Sequence, residues 1–367
     1  MTSSPAISRR VLAKGALLGA AAGLLPATAA HARPPLRLPA PTGPHPVGVR
    51  TVQLTDRSRV DPWEPALGAR EVVLTVVHPA RTDRGYPRAP QLTPAAARVF
   101  AELAPLAHPG LPAAGAVDWG GVLTHGHTGA PVLPGRRPVL LYTPGGGDSR
   151  TLGTVLAEDL ASHGAIVVLV DHPGDATQVE LPAGGMRVTV LRGEPDEATF
   201  RTMIDTRVAD LRFVVDRLGG LFCAAAMDLG RVGIYGHSAG GTAAVYAAHG
   251  DHRLRAAVNL EGYLDLGPLD GFDRPLLLVR TEDFDGAARV ERSWAGLAAP
   301  RLMLAGSAHW AVTDYAALVP RLQAAGLVSA ATRDALVGPG DPAVAVAVLR
   351  RRLRGFFGRH LVRTGAQ

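Results

Sequence analysis

Lysine is almost missing from this chain of 367 residues, because Lys14 is the only one. Chemistry that needs a lysine amine after that position is therefore closed, which removes Schiff-base enzymes, Ser-Lys hydrolases and Walker P-loops. Cysteine is equally scarce. Cys223 stands alone, so neither an intramolecular disulfide nor a Cys-rich metal site can form. In its Ala-rich stretch it reads as a small buried apolar group rather than a reactive thiol. Stability has to come from the core, and an apolar content of 47% is enough for one.

The formal charge is +6, and leaving out Arg9, Arg10 and Lys14 of the leader lowers it to about +3. The remaining excess is spread along the chain as single arginines, and only Arg350-Arg351-Arg352 form a run. No nucleic-acid partner is expected from that distribution.

Residues 1–32 contain no acid, and they place Arg9-Arg10 just ahead of an apolar stretch from Gly15 to Leu25 that is too short to span a bilayer. Ala30-His31-Ala32 follows with the small-x-small pattern of a cleavage site. This resembles a twin-arginine export signal, with maturation after Ala32, a flexible Pro-rich leader over 33–46 and a secreted or envelope location. A single domain is expected over 47–367, since no repeat and no second composition regime follows.

Within that domain Val47 to Ala80 reads as extended segments that open a sheet. A Pro/Gly-rich stretch then runs to Pro138, with a short helix near Ala95–Leu103 and an irregular part from Trp119 to Pro134, suited to surface loop or substrate-side cover. Beyond it strands and helices alternate. Strands are predicted at 139–142, 165–170, 231–235, 255–260, 275–280 and 301–304, and helices at 151–163, 199–218, 241–249 and 342–361. Such alternation predicts an α/β fold, with a mostly parallel sheet and helices on both faces.

Gly236-His237-Ser238-Ala239-Gly240 fits G-x-S-x-G between an apolar strand and an Ala-rich helix, the context that makes Ser238 a nucleophile. A cramped strand-to-helix turn needs the flanking glycines. The same turn could merely pack strand on helix, but Gly306-Ser307-Ala308-His309 supplies an imidazole after the last predicted strand, where a general base belongs. Two strand ends offer the orienting acid: Glu261, and Asp283 or Asp285. Generic α/β-hydrolase topology favours Asp283. Gly145-Gly146-Gly147 follows the predicted strand 139–142, and the N–H groups of Gly146 and Ala239 are the candidate oxyanion donors.

Other signals are weaker. His125-Gly126-His127 lacks a third ligand, and Glu282, Asp283 and Asp285 read as a solvated acidic loop, so neither a metal nor a cofactor is expected. Val344, Val348, Leu349, Leu353, Phe356, Phe357 and Leu361 form an apolar stripe beside arginines. It fits packing against the sheet better than peripheral contact with a membrane surface. Tyr263 and Trp310 flank the candidate triad and suit either a pocket wall or ordinary core.

Taken together, Asp159-Leu160-Ala161-Ser162-His163-Gly164, Val170-Asp171-His172, the Ser238 elbow and Gly306–His309 make the chain resemble the platelet-activating factor acetylhydrolase group of α/β-hydrolases from about Val47 to Leu361. The resemblance implies a metal-free serine esterase acting on small esters or lipids. It places the acid after the strand that follows the nucleophile helix, hence Glu261 in Asn259-Leu260-Glu261-Gly262. Two departures stand out: Glu replaces the family's usual Asp, and Pro144 stands where His is common. A broad lipase or polyester hydrolase would use the same residues, and a noncatalytic exported binding module would keep only the fold.

Overall fold

Val139 and Leu141 point to one side of the strand Arg137–Thr143, Leu140 and Tyr142 to the other, and all four are buried. A strand covered on both faces belongs in the middle of a sheet sandwiched between helices. The computed structural model describes residues 36–362, and the export signal expected over 1–32 lies outside the described residues.

In chain order the strands are β1 (Val47–Val60), β2 (Ala69–Pro79), β3 (Arg88–Pro90), β4 (Leu123–Thr128), β5 (Arg137–Thr143) and β6 (Ile166–Asp171). They continue with β7 (Gln178–Glu180), β8 (Met186–Val188), β9 (Met227–His237), β10 (Leu254–Leu260), β11 (Leu276–Asp283) and β12 (Arg301–Ala308). The helices are α1 (Pro94–Ala107), α2 (Thr154–Ser162), α3 (Glu197–Arg217), α4 (Ala239–Gly250), α5 (Ala287–Ser293), α6 (Tyr315–Ala324), α7 (Ala330–Val337) and α8 (Pro342–His360).

Ten strands form one sheet in the order β12-β11-β10-β9-β5-β6-β2-β1-β4-β3. Every neighbour from β12 to β6 is parallel. β2 runs antiparallel to both β6 and β1, so the sheet is the mostly parallel one the alternation implied. On one face α3 and α4 pack through Met203, Leu211, Val214, Ala243 and Ala247. On the other, α2 and α8 pack through Leu156, Leu160, Leu349, Leu353 and Phe357. The stripe of α8 thus lies mainly against the sheet, although Val344 is exposed.

The chain leaves β5 for β6 on one side and returns to β9 on the other. Loops leaving the carboxyl ends of β5 and β9 therefore diverge and open a crevice, the place where doubly wound sheets hold ligands. The glycine loop, Ser238, Glu261 and His309 follow the carboxyl ends of β5, β9, β10 and β12 respectively.

Three expectations need correction. Residues 36–46 are not a flexible leader: Leu36 and Leu38 are buried, Thr42 donates to Asp159 Oδ1 through N–H and hydroxyl, and Arg350 donates to the carbonyls of Pro39 and Ala40. Burying the two leucines contributes up to about 1.5–3 kcal/mol each, which holds the segment on the domain. The stretch 119–134 is not wholly irregular, because β4 lies within it, parallel to β1 and antiparallel to β3. Finally, α5, α6 and α7 occupy stretches for which no helix was predicted. They are short, and α6 contains Pro320, so helical periodicity was weak there.

Candidate active site

Strand β9 turns into α4 within one residue, and that residue is Ser238 at φ 54°, ψ −124°. A non-glycine residue held at positive φ stores about 1–3 kcal/mol and persists only where its surroundings enforce it. Here they do. A Cβ on Gly236 would lie 2.3 Å from Gly240 O, and one on Gly240 would lie 2.1 Å from Thr143 O, so both positions require glycine for close approach. Ser238 N–H donates to Leu260 O at 2.8 Å, fixing the elbow on the neighbouring strand. The serine itself is half-buried and reachable from solvent.

Glu261 leaves β10 at φ +66°. Asn259 braces this corner by donating to Gly262 O at 3.0 Å and accepting Gly262 N–H at 2.6 Å. Gly262 is forced by contact, since a Cβ would sit 2.4 Å from Ser238 O. The left-handed turn sends the Glu261 side chain under His309, whose Nδ1–H donates to Oε2 at 2.8 Å. Thr281 on β11 donates to the same carboxylate from its N–H at 2.5 Å and from its hydroxyl at 2.7 Å. Glu261 is 1% exposed, and these bonds supply what water would otherwise provide. Asp283, by contrast, is exposed and lies outside the cluster.

His309 opens a short 3-10 turn directly after β12 and is itself buried. Phe284 stacks on its ring at 4.0 Å, Trp310 meets it edge-on at 4.9 Å, and Tyr263 stacks on Phe284 in turn. With Nδ1–H given to Glu261, Nε2 carries the free lone pair, the tautomer a general base requires. Burial first, and then the neighbouring His237, hold the His309 imidazole below its ordinary value, against the pull of Glu261. The neutral, proton-accepting form therefore persists into mildly acidic solution. The acid limb of a kcat/KM profile should fall below the usual histidine value of about 6.5, and a limb well above that value would contradict this environment.

Gly146 is exposed, and a Cβ built on it would lie 3.6 Å from that of Ala239, so the two residues proposed to supply the donors lie side by side. Among the described residues neither N–H has an acceptor. Ala239 begins α4, whose first amides are unpaired and carry the positive end of the helix dipole.

A second buried group, not anticipated from sequence, lies behind the first. His237 Nε2–H donates to His309 O at 3.0 Å, while its Nδ1 lies 3.7 Å from Asp148 Oδ2. His108 approaches the other oxygen of Asp148 at 3.9 Å. Burial alone would raise the Asp148 carboxyl, but the two imidazoles outweigh it and hold it below the usual carboxylate range. A Cβ on Gly145 would strike Asp148 at 2.5 Å and His237 at 3.0 Å, which explains that glycine. The only signal in the sequence was position: His237 precedes Ser238, and Asp148 follows the glycine run.

The other motif residues serve the framework. His172 bridges Thr143 at 3.0 Å and Asp210 at 2.9 Å, and Asp171 accepts Arg150 N–H at 2.6 Å. Asp159 holds Thr42 and Arg354. His125 is tied to Leu38 O at 3.0 Å. Cys223 is buried, which pushes its thiol up to about 11.

A strained serine at a β5/β9 switch point, with a carboxylate-held imidazole after the last strand, defines an α/β-hydrolase. No family model matches the sequence. Among solved structures, a ferulic acid esterase from Streptomyces cinnamoneus superposes with a TM-score of 0.75 at 33% identity, covering 89% of this chain and 93% of that one. A probable 1-alkyl-2-acetylglycerophosphocholine esterase of Arthroderma benhamiae is 27% identical over 240 residues, 60% of this chain and 59% of the relative. Platelet-activating factor acetylhydrolase of Canis lupus familiaris is 24% identical over 212 residues, 47% of each. The matches thus span about half the length of these curated relatives. The solved esterase covers nearly all of both chains, so this chain belongs to the esterases of the α/β-hydrolase type, and about half of it is similar to platelet-activating factor acetylhydrolases.

Proposed function

We propose that the protein is a serine carboxylic-ester hydrolase that works through an acyl-enzyme. The observation carrying this reading is the 2.8 Å bond from His309 Nδ1 to a buried Glu261 beside the strained Ser238 elbow. Ser238 Oγ attacks the ester carbonyl carbon and His309 Nε2 takes its proton, while Glu261 stays ionised and steadies the imidazolium. The oxygen of the tetrahedral intermediate draws on the N–H groups of Gly146 and Ala239. His309 then protonates the departing alcohol, and water repeats the attack to release the acid.

For substrates we propose short acyl or phospholipid-like esters, in keeping with the acetylhydrolase relatives. A broad lipase or polyester hydrolase would use the same triad. A further reading, aromatic acyl esters, is favoured by the half-buried Phe200, Tyr263 and Phe284 grouped beside His309 and by the esterase of known structure. The leader of residues 1–32 directs export in this proposal. Among the described residues no helix is long and apolar enough to cross a membrane.

Hydrolysis of p-nitrophenyl esters of increasing acyl length, together with a feruloyl ester, tests the reading on the purified chain. Preference for acetyl over long chains supports acetylhydrolase chemistry, long-chain preference supports a lipase, and feruloyl preference supports the aromatic reading. Inertness towards every ester would leave the noncatalytic binding module.

A further inference from the structure

Arg207 is fully buried on α3, yet the chemistry above gives it no part. It reaches a loop 62 residues away in the chain. Nη2 donates to Gly145 O at 2.9 Å, Nη1 donates to Pro144 O, and Nε donates to Asp175 Oδ2 at 2.5 Å. Asp175 Oδ1 accepts Gly147 N–H at 3.0 Å. Guanidinium and carboxylate therefore grip the loop on both sides of Gly146.

A trans peptide is planar, with its C=O and N–H on opposite edges, and the described residues contain no cis bond. Pinning the carbonyls of Pro144 and Gly145 on the guanidinium thus turns the N–H groups of Gly145 and Gly146 the other way. Among the described residues neither N–H has an acceptor, and a Cβ built on Gly146 would lie 3.6 Å from that of Ala239. Pro144 has no N–H of its own to compete. A cation on a carbonyl also polarises the N–H of the same peptide, so Arg207 strengthens the donors it aims.

We propose that Arg207, backed by Asp175, is the positioning residue of the oxyanion loop: by holding the Pro144 and Gly145 carbonyls it presents the Gly146 N–H, with that of Gly145 beside it, to the ester oxygen. The inference rests on the ester-hydrolase reading. A merely structural arginine would, when replaced, alter stability, or kcat and KM together. A residue that aims oxyanion donors acts on the transition state alone.

The test compares wild type, Arg207→Met, Arg207→Lys and Ser238→Ala in ester turnover, in inhibition by an alkyl trifluoromethyl ketone, which forms a tetrahedral adduct on serine, and in binding of the product acid. In folded Arg207→Met, kcat should fall about 10²- to 10³-fold with KM changed less than about threefold. Ketone affinity should fall in parallel while acid binding holds, and Arg207→Lys should recover part of the loss. Unchanged kcat, or acid binding lost in proportion to kcat, would overturn the proposal. Should Arg207→Met not fold, the amide protons of Gly145 and Gly146 in wild type are followed by NMR on adduct formation. A downfield shift supports the assignment, and no shift overturns it. Ser238→Ala separates the two levels: an inactive Ser238→Ala beside a fully active, folded Arg207→Met sinks this inference alone, whereas an active Ser238→Ala sinks the Ser238 acyl-enzyme reading on which the inference rests.

Discussion

Ser238→Ala is expected to lower kcat about 10⁴- to 10⁶-fold while leaving the melting temperature near that of wild type. Alanine removes the hydroxyl proposed to attack but keeps a Cβ, so the cost of holding φ at 54° is unchanged. The Ser238 hydroxyl makes no bond within the described residues that the substitution would break. What survives in the variant is catalysis by the oxyanion donors and by substrate binding. A folded Ser238→Ala enzyme with near-normal turnover would remove Ser238 from the chemistry altogether. Measuring turnover and thermal melting on the same preparation separates loss of the nucleophile from loss of the fold.

Glu261→Gln should cost about 10⁴-fold in kcat, by the logic of placing an amide where the orienting carboxylate stands. Gln can offer N–H where Oε2 now accepts from His309 Nδ1, which favours the tautomer with its proton on Nε2, the wrong nitrogen for a base. It also loses the charge that steadies the imidazolium. Thr281, which donates twice to the carboxylate, would keep the amide close to the native position, so the loss should appear in kcat more than in stability. Asp283→Asn should leave turnover near wild type, because that side chain is exposed and outside the cluster. A larger loss in Asp283→Asn than in Glu261→Gln would reverse the choice of acid.

Much of this was legible in the residues. Alternating strands and helices from Val139 onward carried the parallel half of the sheet, because both faces of the central strands β5 and β6 are apolar. Gly236 and Gly240 marked the elbow, since no side chain fits where they approach Gly240 O and Thr143 O. The acid was harder. Glu261 and Asp283 both end strands, and what separates them is the left-handed turn at Glu261 together with its bonds to Thr281, neither of which has a pattern in sequence. Local residues deciding their own conformation were readable, whereas contacts made across the fold were not. Asp175 and Arg207 belong to the second kind: nothing in a 21-residue helix with several arginines singles out the one that grips Pro144 and Gly145. Residues 36–46 looked like a loose leader for the same reason, their partners Asp159 and Arg350 being remote in sequence.

Glu261 and His309 leave β10 and β12, and the strand between them, β11, contributes Thr281 to the same carboxylate. The spacing of the proposed acid and base therefore follows the spacing between the strands whose ends carry them. Catalytic competence then has no soft intermediate: heat or denaturant should leave the triad in register until the sheet gives way, and activity and cooperative structure should vanish at the same midpoint.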